Sequence, residues 1–193
     1  MTDVVTVARK ARIESEHDRK RKVILDAARR VFERDGPKGL TMRAIASEAG
    51  YAAGAVYFYF DSRAAIMSEL AISELTQMTK DIKSMSARGA AERASSAAHA
   101  LAQAESLFQI DAAEAETAGS DRQITGKLIA LFQTVAEPLG LEGMDGHEAN
   151  KRALAFAAAV MGLAQMERSG WLVKLGLSSD DTLNILADRL KSA

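Results

Sequence analysis

The chain has 193 residues, a formal net charge of −1, no cysteine, 48% hydrophobic and 26% charged residues. Without cysteine there is no disulfide framework and no thiolate chemistry or thiolate metal site. No run approaches the roughly 18 apolar residues of a membrane span, and apolar content drawn mostly from Ala, Leu, Ile and Met, with 5% aromatics, favours helix over strand.

The charge is unevenly placed. Up to Arg63 there are 13 Lys and Arg against 9 Asp and Glu; beyond it there are 12 against 17. A basic first third on an acidic remainder points to a polyanion partner for the first third alone. Residues 1–16 are polar, basic and aperiodic, which predicts a flexible arm. They lack an apolar core followed by a small-residue cleavage site, so a cytoplasmic location is expected.

From His17 the pattern is helical, with Ile24, Ala28, Val31 and Phe32 on one stripe. RDGPKG (34–39) stops it. Thr41 caps a second helix, TMRAIASEA, whose Ile45, Ala46 and Ala49 form a small inward face, and Gly50 suits a left-handed turn position. A third short helix holds AAGAVYFY, and Asp61 or Ser62 begins a fourth that runs to about Ala87 with Leu75, Met78, Ile82 and Met85 on one stripe. The Ala-rich stretch 90–118 predicts one or two helices, 123–137 another, and 147–169 and 179–191 the last two. Ser178 with Asp181 resembles a capping box with a shortened acid. The fold class is all-α.

Five aromatics, Tyr51, Tyr57, Phe58, Tyr59 and Phe60, lie within ten residues of one another. On a helix after a turn, Val56 and Phe60 face the first two helices, Tyr57 a neighbouring side, and Phe58 points nearly opposite Val56. Three helices with a glycine-containing turn between the second and third make a helix-turn-helix. The small front end Ala52-Ala53-Gly54-Ala55 lets the backbone approach a surface, and tyrosine hydroxyls suit phosphate oxygens.

Residues 21–70 resemble the DNA-binding domain of the TetR family of bacterial transcriptional repressors. The match lies in Ile-Leu-x-Ala-Ala-x-x-x-Phe (24–32), Gly-Leu-Thr (39–41), Arg-x-Ile-Ala (43–46), Ala-Gly (49–50), Gly54, Tyr57-x-Tyr59-Phe60 and Ser62-Arg63. The resemblance covers about a quarter of the chain; 71–193 carry no comparable motif. It implies a flexible basic arm (1–16), a helix-turn-helix domain (17–63) and a helical ligand-binding and dimerisation domain (64–193). It also implies a third helix in the major groove, phosphates held by Thr41, Tyr57 and Arg63, and Arg43 on a phosphate or a base edge. Arg19, Lys20, Arg21 and Lys22 would follow phosphates or enter the minor groove. The family often has Ser and Lys where this chain has Ala52 and Ala53. Methyl contacts to thymine from Ala52, Ala53 and Ala55, with DNA shape, are then expected to carry more of the specificity.

In the remainder, His99, Leu101, Gln103, Leu107, Phe108, Leu128, Leu131, Phe132 and Gln133 are candidates to line a cavity for a small, mainly apolar ligand, with ordinary core as the alternative. Ala153, Ala157, Val160, Met161 and Ala164, with Leu183, Leu186 and Leu190, form small-residue and leucine stripes suited to a four-helix dimer interface, with packing inside one chain as the alternative. His17, His99 and His147 have no metal-ligand spacing. Asp111, Glu114 and Glu116 read as a solvated helix face. No phosphate loop or nucleophile elbow occurs. Neither a metal, a cofactor nor an enzymatic activity is expected. The expected function is a dimeric repressor on a near-palindromic double-stranded DNA operator, released by a small-molecule inducer. A ligand-independent repressor and a helical protein-interaction module with a vestigial helix-turn-helix are the alternatives.

Overall fold

The computed structural model describes residues 2–85, 88–104, 119–141 and 145–192, and all their regular structure is helical. The helices are α1 (Thr2–Gly39), α2 (Met42–Ala49), α3 (Ala53–Tyr59), α4 (Arg63–Ser84), α5 (Ala90–Gln103), α6 (Asp121–Ala136), α7 (Gly146–Arg168), α8 (Trp171–Leu175) and α9 (Ser179–Ser192), with a 3-10 turn at Glu137–Leu139. Leu107, Phe108, Asp111, Glu114 and Glu116 lie outside the described residues.

Residues 2–16, expected as an arm, are instead the start of α1. Nothing before Gly36 breaks a helix, and Lys10–Glu14 (3.9 Å) and Lys20–Glu16 (3.1 Å) add one-turn ion pairs. A helix exposed on all sides has no stripe to find, which is why periodicity missed it. At the other end Gly36 has φ 68°, ψ −174°, a conformation that favours glycine, and Pro37 follows it, so helical geometry is interrupted where RDGPKG predicts a stop.

The described chain divides into two compact units, and the division falls inside α4, after Leu70. This moves the expected boundary at Arg63 by two turns, because Ile66, Met67 and Leu70 bury their side chains in the N-terminal core. That core joins them to Ile24, Ala28, Val31, Phe32, Leu40, Ile45, Val56 and Phe60. Its outer seam is ionic. Glu48 on α2 takes hydrogen bonds from Arg30 Nε (2.8 Å) and Arg34 Nη1 (2.9 Å) on α1, and the Arg30 and Arg34 guanidinium groups hold its carboxyl below the usual carboxylate range.

The C-terminal unit is a separate helical core. Leu75 and Ile82 of α4, the alanine face of α5, Leu131 and Val135 of α6, Phe156 and Val160 of α7, Leu172 of α8 and Leu183 of α9 are buried in it. Arg93, only 5% exposed, crosses from α5 to donate to Glu137 Oε2 at 3.1 Å and to the Thr134 carbonyl at 3.4 Å. Ser178 caps α9, accepting from Asp181 N (3.1 Å) as a capping box predicts, while Asp181 Oδ2 accepts from the Ser178 hydroxyl (2.9 Å) where the box expects the backbone N–H. The sequence reading left 170–178 without a helix. Yet Gly170 (φ 72°) and Gly176 (φ 67°) bracket α8, whose five residues are too few for periodicity to reveal.

The candidate interface residues need correction here. Val160, Ala164 and Leu183 are fully buried within the chain, Ala157 is 9% exposed, and Ala153, Met161, Leu186 and Leu190 pack against the same core. Small residues did bring helices close, but within one chain. The opposite faces carry the exposed apolar groups: Leu154 (69%) with Ala155, Ala158 and Gly162 on α7, and Ile185 (66%) on α9.

Candidate nucleic-acid interface

The N-terminal unit builds its reading head from caps. Thr41 is extended, and its Oγ1 accepts from Ala44 N at 3.1 Å, starting α2. Gly50 ends α2 at φ 73°, and Tyr51 N donates to the Ala46 carbonyl at 2.8 Å, closing a Schellman-type turn. Ala52 then takes an extended conformation and α3 begins with no side-chain cap, the place where serine would have supplied one. Phe60 ends α3, and Ser62 Oγ accepts from Ala65 N at 3.1 Å to start α4.

Val56 and Phe60 turn inward, 0% and 2% exposed. The outer side of α3 therefore presents Ala52, Gly54, Tyr57 and Phe58, with Tyr57 53% and Phe58 74% exposed. Of the alanines expected to touch thymine methyls, Ala52 is exposed and Ala55 half-buried, while Ala53 packs against the core. Phe58 was not among the candidates. The signal for it was available: an aromatic nearly opposite the buried Val56 has nowhere to point but outward. His17 of α1 lies against this end of α3, its ring 4.9 Å from Tyr59 and 6.2 Å from Phe58.

The basic candidates divide by what they already hold. Arg21 is committed to the fold: Nη1 donates to the Tyr59 carbonyl (2.6 Å), Nη2 to Glu69 Oε1 (2.6 Å), and the guanidinium lies 4.1 Å from the Phe60 ring centre. It pins α1 to the end of α3 and the start of α4, and its phosphate role is corrected to a structural one. Lys20 holds Glu16, whose carboxyl it lowers below the usual range. Arg63 Nη2 donates to the Pro37 carbonyl at 2.8 Å. Arg19, Lys22 and Arg43 are exposed and hold no protein partner among the described residues, and the Tyr57 hydroxyl is equally free. Thr41 uses an oxygen lone pair for its cap and keeps its hydroxyl proton to donate. Free donors on a surface of short, capped helices match what phosphate oxygens require.

The pocket candidates do not converge in the same way. Leu101 and Leu131 are core residues, Leu128 and Phe132 flank that core, and His99, Gln103 and Gln133 are exposed. Among the described residues no group of three or more His, Cys, Asp or Glu could hold a metal, and no helix is long and apolar enough to cross a membrane.

Capped α2, a left-handed glycine turn and an outward-facing α3 define a helix-turn-helix protein. Residues 24–70 match the family described as bacterial regulatory proteins, tetR family. The match covers about a quarter of the chain and marks residues 24–70 as a domain of the TetR DNA-binding type. Solved structures of similar fold are regulators by name. The regulatory protein SCO4313 shares 19% identity over 93% of this chain and 98% of its own, with a TM-score of 0.62. FadR from Bacillus subtilis, in complex with stearoyl-CoA, shares 18% over 89% of this chain and 97% of its own, at 0.56. The fatty acid degradation regulator FadR from Bacillus halodurans shares 21% over 89% and 94%, at 0.57. No curated relative matches the sequence.

Proposed function

We propose that the chain acts as a homodimeric repressor that binds a near-palindromic operator and leaves it when a small ligand occupies the C-terminal unit. The observation that carries the DNA half is the coincidence of the exposed Tyr57 hydroxyl with Arg43, Arg19 and Lys22, which have no protein partner among the described residues, on one helix-turn-helix unit. Tyr57 and Thr41 hold phosphates, Arg43 a phosphate or guanine edge, and α3 lies in the major groove. A two-fold dimer presents two such helices to half-sites about one turn, roughly 34–36 Å, apart.

The dimer face of this reading is the outer side of α7 and α9. Leu154, Ala158 and Gly162 recur every fourth residue, the spacing of a ridge that packs into a matching groove, and Ile185 extends it. A ligand-holding C-terminal unit finds support in the FadR neighbour that carries stearoyl-CoA. The continuous α4, with Ile66 and Leu70 in one core and Leu75 and Ile82 in the other, is the element through which occupancy changes DNA affinity.

Tyr57→Phe tests the DNA half. It removes one hydroxyl and keeps the ring, and should weaken specific and non-specific binding alike by roughly 1–2 kcal/mol. An unchanged affinity in a fluorescence-anisotropy titration takes Tyr57 off the phosphate. Complete indifference of DNA mobility to salt in the wild type would instead favour a protein-interaction module.

A further inference from the structure

Within the C-terminal unit, a cleft of about 470 Å³ opens between α5, the end of α7, α8 and the start of α9. Its apolar side is Leu172, Val173 and Leu177; its polar side carries Glu167, Asp180, His99 and serine hydroxyls, and among the described residues neither lysine nor arginine lines it. A cleft of that size lies within the range of small-molecule sites.

The carboxylates are held by an imidazole and serine hydroxyls. Glu167 Oε1 lies 2.7 Å from His99 Nδ1, and Oε2 accepts from Ser179 Oγ at 3.3 Å. Gln103 sets its amide nitrogen 2.7 Å from His99 Nε2. Glu167 and Gln103 thus hold the His99 ring by its two nitrogens. Asp180 accepts from Ser95 Oγ and stands in the first turn of α9. Among the described residues, neither carboxylate has a lysine or arginine within ion-pair distance.

Two carboxylates with no lysine or arginine beside them among the described residues, facing leucine and valine, repel an anion and offer a neutral apolar molecule little. They suit a donor-bearing cation, whose N–H groups form charge-assisted hydrogen bonds while its carbon body covers the apolar side. We infer that this cleft binds a small organic cation, a protonated amine or amidine with a compact apolar body. The binding chemistry stands on the cleft alone; the role of that cation as the effector rests on the repressor reading above.

The chain's sole tryptophan, Trp171, is 55% exposed and immediately precedes two lining residues, so its emission reports on the cleft. The full-length protein is titrated with octylammonium, octanol and octanoate, which share a chain and differ in the head group. Octylammonium should shift Trp171 emission saturably, with octanol and octanoate at least about tenfold weaker. The double variant E167Q/D180N should weaken octylammonium about tenfold at unchanged helicity. S96K, which sets an ammonium into the cleft, should abolish its binding and guards against a fold effect of the first variant. Octanoate binding as tightly as octylammonium, an unchanged affinity in E167Q/D180N, or no octylammonium binding because a second copy covers the cleft would each overturn the inference. DNA mobility is read separately. Saturable octylammonium binding without any change in DNA affinity supports the cleft and removes the effector role from the repressor reading.

Discussion

The two units leave different kinds of apolar surface in water. On the N-terminal unit the exposed apolar groups of α3 are aromatic, Tyr57 and Phe58, and they share their unit with cations free of protein partners. On the C-terminal unit Leu154 and Ile185 stand among alanine and glycine, and Val173, Leu175 and Leu177 follow Trp171 in one short stretch. An aromatic surface beside free positive donors matches a stacked, charged polymer; an aliphatic ridge matches another ridge. In the function proposed above, the same hydrophobic exposure serves DNA in one unit and self-association in the other, and the neighbouring charges distinguish them.

The comparison is most sharply tested on α7, where one face is core and the next is bare. Ala157→Glu places a carboxylate among buried neighbours and should cost roughly 3 kcal/mol or more of stability, read by chemical denaturation. Leu154→Glu combined with Ile185→Glu should leave helicity intact while sedimentation shifts from dimer to monomer. If the double variant stays dimeric, the outer ridge is not the interface.

A smaller effect separates committed from free cations on α1. Arg21→Ala loses two charge-assisted hydrogen bonds and a contact over Phe60, and should destabilise the fold by about 2 kcal/mol even without DNA. Lys22→Ala should leave unfolding unchanged and reduce the salt slope of DNA binding by about one. Equal behaviour of the two variants would erase the distinction drawn here.

The smallest effect is a pH dependence at the α1–α2 seam. Hydrogen bonds from Arg30 and Arg34 lower the folded-state pKa of Glu48 below its unfolded value. Its contribution is thus complete above the ordinary carboxylate pKa and fades as pH falls through the lowered folded value. Thermal midpoints of wild type and Glu48→Gln should differ slightly at neutral pH and converge in acid. A gap that widens on acidification would contradict the assignment.

Much of the N-terminal unit was legible because its helices are short and its turns are written in single residues. Thr41, Gly50 and Ser62 each fix one boundary, and Ile24, Ala28, Val31 and Phe32 can face only one way. Periodicity is blind in two other situations, and both occurred. A helix wetted on every side, such as residues 9–16, shows no stripe. A helix with two apolar faces, such as α7, shows a stripe without saying whether its own chain or another covers it. Arg21 illustrates a third gap: its charge was visible in the sequence, but not the partners Tyr59, Glu69 and Phe60, which lie some forty residues on.

The bare front of α3 bears on how such a protein diversifies. Ala52 is exposed, and a Cβ added at Gly54 would meet nothing within 4 Å. A longer polar side chain at either position has room to stand without displacing a neighbour or breaking an existing contact. In the proposed repressor, single additions at these two positions would change base preference while leaving the contacts of Tyr57, Thr41 and Arg43 to the backbone in place.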